Sequence, residues 1–259
     1  MNMQFHKYQG AGNDFILIDQ RNNEVKNITN SLVKDLCDRR FGIGADGLML
    51  LLGHEDYDFE MVYYNADGNL GSMCGNGGRC IVAFAKHLGI IDRETNFLAV
   101  DGPHYAKISE LGNWVDLQMI NVNQIAKDGS AYVLNTGSPH YVKEVANLKE
   151  MDVYTAGKAI RNNDTYKAEG INVNFVEDKG DHLFVRTFER GVEDETYACG
   201  TGVTAVALSM AKHVHQTGHI ETAIEVLGGK IDIKFDYDGN AFTNIFLCGP
   251  AEKVFQGEL

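Results

Sequence analysis

The sequence predicts an α+β fold of two pseudo-symmetric halves, each a mostly antiparallel or mixed sheet wrapped round a buried central helix. Three observations carry this expectation. Many short strand-like runs are joined by hairpin-type turns, two helical segments are apolar nearly all round, and one motif recurs about half a chain apart.

The strand-like runs lie at 15–19, 48–52, 59–64, 97–100, 105–108, 114–119 and 132–134, and then at 171–176, 183–188, 224–227, 231–235 and 242–247. Leu111-Gly112-Asn113, Asp178 to Asp181, Gly228-Gly229 and Asp238-Gly239-Asn240 have the turn chemistry of hairpins. Strands joined mainly by hairpins, without regularly alternating helices, indicate antiparallel or mixed sheet. Thr29 to Arg40 predicts a surface helix, with Leu32, Val33, Leu36 and Cys37 on one face and Gly42 just beyond the end. Residues 77–88 and 202–214 are small and apolar on every side until a terminal Lys-His, and a helix without a polar face is normally buried.

The segments before these two helices resemble each other. Strand, polar turn, Cys-Gly-x-Gly and buried helix occur at Val62 to Gly77 and again at Val185 to Gly202, with Cys199 following Cys74 by 125 residues. That spacing is a duplication on the scale of a domain. It predicts an N-terminal half, 1–120, carrying Cys74 and a C-terminal half, 121–259, carrying Cys199, with the boundary in the polar stretch Asn121 to Ser130. The last strand is free to pack back on the first half, and the active site is expected in the cleft between the halves.

Composition narrows the function. A chain of 259 residues with 44% hydrophobic and 23% charged residues builds a core without disulfide staples. No apolar run spans a bilayer and the N-terminus lacks the pattern of a signal peptide, so a cytoplasmic protein with no membrane partner is expected. A net charge of −13 without a basic cluster argues against nucleic acid, and the sequence leaves a homodimer open. The five cysteines, 37, 74, 80, 199 and 248, are too odd a set for a disulfide framework. A free cysteine is most often a small buried hydrophobe, which is the expectation for Cys37, Cys80 and Cys248. The duplicated context sets Cys74 and Cys199 apart.

Each Cys-Gly-x-Gly places a thiol just ahead of a helix. A helix N-terminus carries partial positive charge and free N–H donors, so it lowers a thiol pKa and binds a carboxylate. Two such ends serving one substrate suit removal of a proton from one face of a carbon and delivery of another to the opposite face, with one cysteine as thiolate and the other as thiol. Which of them rests as the thiolate stays open. No metal is expected, since neither cysteine has a Cys or His two to four residues away. No cofactor is expected either. Gly42 to Gly47 matches G-x-G-x-x-G and Gly200 to Ala205 its variant, but neither follows a buried parallel strand, and there is no P-loop.

At these residues the sequence resembles the diaminopimelate epimerase family over essentially the whole chain. The matching segments are Gly10 to Phe15, Arg40 to Gly47, Asn65 to Gly68, Met73 to Cys80, Gly137 to His140, Ile171 to Phe175, Glu189 to Gly191 and Ala198 to Gly202. The resemblance implies a cofactor-independent isomerase that interconverts LL- and meso-2,6-diaminoheptanedioate, in lysine and peptidoglycan precursor synthesis. It implies Cys74 and Cys199 as the catalytic pair and Gly75, Asn76, Gly200 and Thr201 as helix-end donors to the reacting carboxylate. It further implies Asn13, Asn65, Asn172 and Arg190 as substrate ligands, with Arg190 on the distal carboxylate, and Glu189 and His140 near the reacting ammonium group, His140 in a supporting role.

Three departures stand out. Gly47 occupies a position where some members carry Gln, Ser138 one that is often Asn, and the segment from Arg190 to Cys199 is a residue longer, with Glu193-Asp-Glu195 adding acidity. Ser138 is expected to reach substrate only through water. Two rival readings remain: an enzyme of the proline racemase and hydroxyproline epimerase type, and a thiol redox sensor in which Cys74 and Cys199 form a reversible disulfide.

Overall fold

The computed structural model describes residues 3–22, 28–71 and 73–258, so positions 1 and 259, from which the two predicted halves were counted, lie outside the described residues. The chain divides into two compact units, residues 1–117 with 249–259 and residues 118–248. Mixed sheet dominates both, and helices are few.

In the first unit, β1 (Gln4–Gly10) pairs antiparallel with β2 (Asn13–Asp19). The chain crosses over through α1 (Asn30–Cys37) to β3 (Gly47–Leu52), which is parallel to β2. A hairpin leads to β4 (Phe59–Asn65), and α2 (Gly75–His87) then leads to β5 (Glu94–Ala99), parallel to β4 over a short stretch. Antiparallel β6 (Gly102–Ile108) and β7 (Trp114–Gln118) follow. Val33, Leu36 and Cys37 of α1 join Ile16, Ile18, Leu48 and Leu50 in one apolar core. The helix ends at Cys37, short of the expected Arg40. Asp38 turns extended, and its carboxylate accepts the N–H groups of Arg40 and Phe41, which replaces further helical bonds.

The second unit repeats this order of connections. After β8 (Ala126–Asp128), β9 (Ala131–Asn135) pairs antiparallel with β10 (Pro139–Glu144), and α3 (Val153–Arg161) crosses to parallel β11 (Asn172–Asp178). A hairpin gives β12 (Leu183–Glu189), with the short β13 (Asp194–Thr196) beside it, and α4 (Gly200–His213) crosses to β14 (Gly218–Val226), parallel to β12. Antiparallel β15 (Gly229–Tyr237) and β16 (Phe242–Pro250) complete the series. Finally β17 (Glu252–Glu258), in the first unit, pairs antiparallel with β1.

The two apolar helices sit where their composition requires. α2 packs against β1, β2, β3, β6 and β17, and α4 against β9 to β12 and β15. Small residues at their starts permit this closeness: at Gly77 a Cβ would overlap the Met49 side chain, and at Gly202 it would overlap the Asn174 amide. No helix among the described residues is long and apolar enough to cross a membrane, a statement that leaves β-barrels aside.

Candidate active site

Cys74 is the N-cap of α2 and Cys199 the N-cap of α4, both in extended backbone (φ −111°, ψ 120° and φ −116°, ψ 106°). Neither sulfur makes a side-chain cap bond to its own helix, and each stands beside first-turn N–H groups that lack an acceptor within the helix. The other three cysteines are buried core. Burial pushes the Cys37 thiol up to about 11 and the Cys80 thiol up to about 12, which keeps both protonated.

In the first unit, Asn13 at the start of β2 organises the surroundings of Cys74. Its Nδ2 donates to Asp46 Oδ2 at 2.5 Å, which turns Oδ1 towards the helix start. That oxygen accepts from Asn76 Nδ2 at 3.2 Å and from Cys74 Sγ at 3.7 Å. Asn76 is held in turn by fully buried Arg79, whose Nη2 donates to Asn76 Oδ1 at 3.1 Å and whose Nη1 donates to the Gly75 carbonyl at 3.5 Å. Behind Asn13 lies a charged cluster. Asp14 accepts two bonds from Arg39 and an ion pair from Lys7 at 2.7 Å, and Arg39 also reaches Asp46 at 2.7 Å. Burial alone would raise the Asp14 carboxyl, but hydrogen bonds and charge from Arg39 and Lys7 outweigh it and hold the group down at about 2. Lys7 also donates to the Gly44 carbonyl in the loop before β3, where Gly44 takes φ +80°. Asn65 stands exposed at the end of β4, outside this hydrogen-bonded group.

The second unit builds its site from neutral dipoles. Thr201 Oγ1 lies 3.6 Å from Cys199 Sγ and 3.3 Å from Ser138 Oγ, while buried Thr136 donates to the Thr201 carbonyl at 2.8 Å. Ser138 Oγ also meets His140 Nε2 at 3.0 Å and accepts from Asn172 Nδ2 at 2.9 Å. The short Ser138 side chain is therefore engaged within the protein, in a hydrogen-bonded cluster that reaches the cysteine. Asn172 Oδ1 accepts the Arg190 N–H at 2.8 Å, and the exposed Arg190 guanidinium donates to the Glu169 carbonyl at 3.1 Å. Glu189, the last residue of β12, accepts from Thr196 Oγ1 at 2.9 Å. His140 is fully buried, and burial, followed by the charge of Arg190, lowers it to about 3, so it is neutral at physiological pH.

Gly75 and Asn76 thus open α2 beside Cys74, and Gly200 and Thr201 open α4 beside Cys199. Sequence reasoning missed the groups behind them: Asp14, Asp46 and Arg79 in the first unit, and in the second Asn174, whose Nδ2 lies 3.1 Å from His140 Nδ1 and whose Oδ1 accepts from Thr187 Oγ1 at 2.9 Å. The available signal was the pairing of amide or hydroxyl side chains with buried charge, at Asn13-Asp14 and at Arg79 inside an otherwise apolar helix. Among the described residues no group of three or more His, Cys, Asp or Glu is placed to hold a metal ion.

Solved structures of the same fold include a Bacillus anthracis phenazine biosynthesis protein of the PhzF family, with TM-score 0.80 at 13% identity over 100% of this chain and 99% of that one. A hydroxyproline epimerase from Agrobacterium vitis aligns with TM-score 0.71 at 13% identity, covering 100% and 92%. Together with the relatives below, fold and site define a class: an isomerase on the racemase and epimerase scaffold. The family model described as diaminopimelate epimerase matches residues 5–124 and 132–254. A diaminopimelate epimerase of Flavobacterium psychrophilum is 51% identical over 98% of this chain and 99% of its own length, and one of Chlorobaculum tepidum is 42% identical over 96% and 98%. The chain belongs to the diaminopimelate epimerase family.

Proposed function

We propose that the protein interconverts LL- and meso-2,6-diaminoheptanedioate by two-base proton transfer at one α-carbon, with Cys74 and Cys199 as the pair. The observation that carries this reading is the doubled cysteine N-cap: in each unit a thiol opens a buried helix with its sulfur uncommitted to capping. One thiolate takes the α-proton and becomes a thiol. The carbon's electron pair spreads into the carboxylate, and the partner thiol protonates the opposite face and becomes the thiolate. First-turn N–H groups at Gly75-Asn76 and Gly200-Thr201 are suited to the carboxylate as it gains charge.

In this reading Asn13, Asn65 and Asn172 contact the substrate, Arg190 offers a planar fork to the distal carboxylate, and Glu189 holds the reacting ammonium. His140, neutral and buried, supports the site without exchanging protons. The reaction asks for no resident cofactor, and its place is a late step of lysine and peptidoglycan precursor synthesis in the cytoplasm.

The test is incubation with LL-diaminopimelate in deuterated water. Solvent deuterium should enter one α-carbon as the meso form accumulates. Racemisation of proline, with diaminopimelate left untouched, would overturn the assignment.

A further inference from the structure

The acidic run Glu193-Asp-Glu195 follows Arg190 closely in the sequence, and its first residue is tied back to the turn that carries that arginine. Glu193 stands in left-handed backbone at φ +59°, a region that a long side chain rarely takes. The bonds of its carboxylate hold it there. Glu193 Oε1 accepts from the Gly191 N–H at 3.2 Å and from Arg161 Nε at 3.2 Å, and Arg161 Nη2 also lies 3.2 Å from it. The Glu193 N–H donates back to the Glu189 carbonyl at 2.8 Å. Residues 189–193 therefore form a closed turn anchored on Arg161, the last residue of α3. The Arg161 side chain is only 17% exposed, and its Nη1 donates to the Lys167 carbonyl at 3.4 Å.

The same anchor lies beside Arg190. The Arg190 guanidinium donates to the Glu169 carbonyl at 3.1 Å, and its stem crosses Gly170. A Cβ on Gly170 would stand 2.7 Å from Arg190 Cδ and 2.9 Å from Arg161 Cζ, so one bare Cα seats both arginines. Two cations seated on one residue repel each other unless an anion answers one of them. Glu193 answers the charge of Arg161, whereas Arg190 meets a carbonyl oxygen, which takes one N–H and cancels no charge. The arrangement neutralises one arginine and keeps the charge of the other for a ligand.

We propose that Arg161 and Glu193 form a clasp that fixes the turn 189–193 and so aims Arg190 at the anionic end of the substrate. This deepens the proposed function and rests on it for the identity of that anion, the distal carboxylate. Arg161 and Glu193 are positioning residues, because they act through Arg190. The distal carboxylate is remote from the reacting α-carbon, so its contact is made alike in the ground and transition states, and loss of that contact appears in KM.

The experiment compares the full-length protein with its Glu193→Gly, Glu193→Gln and Arg161→Gln variants. Glycine suits left-handed backbone, so Glu193→Gly removes the carboxylate without adding strain. One measurement needs no substrate: solvent exchange of the Gly191 amide by NMR. It should be at least about fivefold faster in Glu193→Gly and Arg161→Gln, and near wild type in Glu193→Gln, whose amide oxygen still accepts. The other measurement is epimerase kinetics. KM for LL-diaminopimelate should rise about five- to tenfold in Glu193→Gly and Arg161→Gln, the worth of one partly screened ion pair, with kcat held within about threefold. Glu193→Gln should recover part of that rise. A merely structural role would lower the folded fraction, and with it apparent kcat, while leaving KM in place. Gly191 exchange unmoved in Glu193→Gly, or KM unmoved where exchange is faster, would overturn the proposal. Should Arg161→Gln fail to fold, the two Glu193 variants decide. Absence of diaminopimelate turnover in the wild type would sink the epimerase assignment alone, with the clasp still decided by exchange.

Discussion

Cys74 and Cys199 open their helices with nearly the same backbone angles and the same Cys-Gly-x-Gly, yet the groups behind them differ in kind. Around Cys74 an amide carbonyl is aimed by formal charges, Asp46 and Arg79, and braced by Lys7, Asp14 and Arg39. Around Cys199 the work falls to hydroxyls, two amides and a neutral imidazole. The same order of elements therefore carries different side chains in the two units and gives two chemically identical thiols different partners. For a reaction that needs one base and one acid at the same moment, that difference is useful.

The coarsest way to break the comparison is to remove either sulfur. Cys74→Ala and Cys199→Ala should each lower epimerase turnover by about 10³-fold or more, since a two-base exchange has no partial form. If either reduced, folded variant kept a tenth of wild-type turnover, the pairing would be wrong.

Glycine substitutions probe the helix starts directly. In Gly202→Ala the new methyl would meet Oδ1 of Asn174, an amide locked by Thr187 donating to that oxygen and by its Nδ2 against His140 Nδ1, and would sit 3.2 Å from Cys199 Sγ. In Gly77→Ala it would meet the tip of Met49, a side chain that can move aside. Urea unfolding should show a loss of about 2–3 kcal/mol for the former and about 1 kcal/mol for the latter. The reverse order would mean that the amide at Asn174 is not held as described.

Acid should weaken the units in sequence. Both His140 and Asp14 have folded pKa values below their unfolded ones, so each contributes stability at higher pH that is lost as pH falls towards the folded value. For His140 the window runs from 6.5 down to about 3, and for Asp14 from 3.8 down to about 2. At pH 5 the second unit should have lost about 2 kcal/mol from His140 while the Asp14 ion pairs of the first are intact. Amide exchange at pH 5 and pH 7 should show faster opening in β10 and β11 than in β1 and β2. A His140→Asn variant should remove most of that pH dependence.

Much of this was legible beforehand and some was not, for reasons specific to each element. The apolar strands, the hairpin turns at Gly112, Gly180, Gly229 and Gly239, and the two all-apolar helices show themselves through local pattern, and the structure places them there. Strand β1 was missed because Gln4-Phe-His-Lys-Tyr-Gln-Gly10 reads as polar, although His6 and Lys7 are buried. Lys7 is in the interior because Asp14 and the Gly44 carbonyl meet its ammonium there, and those partners lie far along the chain. Helix α3 was missed between unremarkable polar stretches, although Asp152 caps it by accepting from the Thr155 N–H at 3.0 Å. The parallel pairings of β2 with β3 and β10 with β11 depend on crossovers that no local periodicity reports. Cys74 and Cys199 stand out in the sequence through their duplicated context alone. The groups behind them do not, because Asn13 and Asp46, or Asn174 and His140, are neighbours only in space.

The smallest expected effect is also the sharpest probe of how far charge reaches in the first unit. Arg39 is 57% exposed where it meets Asp14, whereas Lys7 is only 6% exposed. Water screens the outer pair, so Arg39→Ala should cost about 1 kcal/mol or less, while Lys7→Ala, which leaves Asp14 without its interior partner, should cost more than Arg39→Ala. Asn13 keeps its bond to Asp46 without Arg39, so its oxygen should still face Cys74, and the Cys74 alkylation midpoint should move by less than about 0.3 pH units. A shift of about one pH unit in Arg39→Ala would show that the charged cluster acts on Cys74 through its field. The contrast between an amide oxygen facing one sulfur and a hydroxyl facing the other would then have to be redrawn as a difference in local potential.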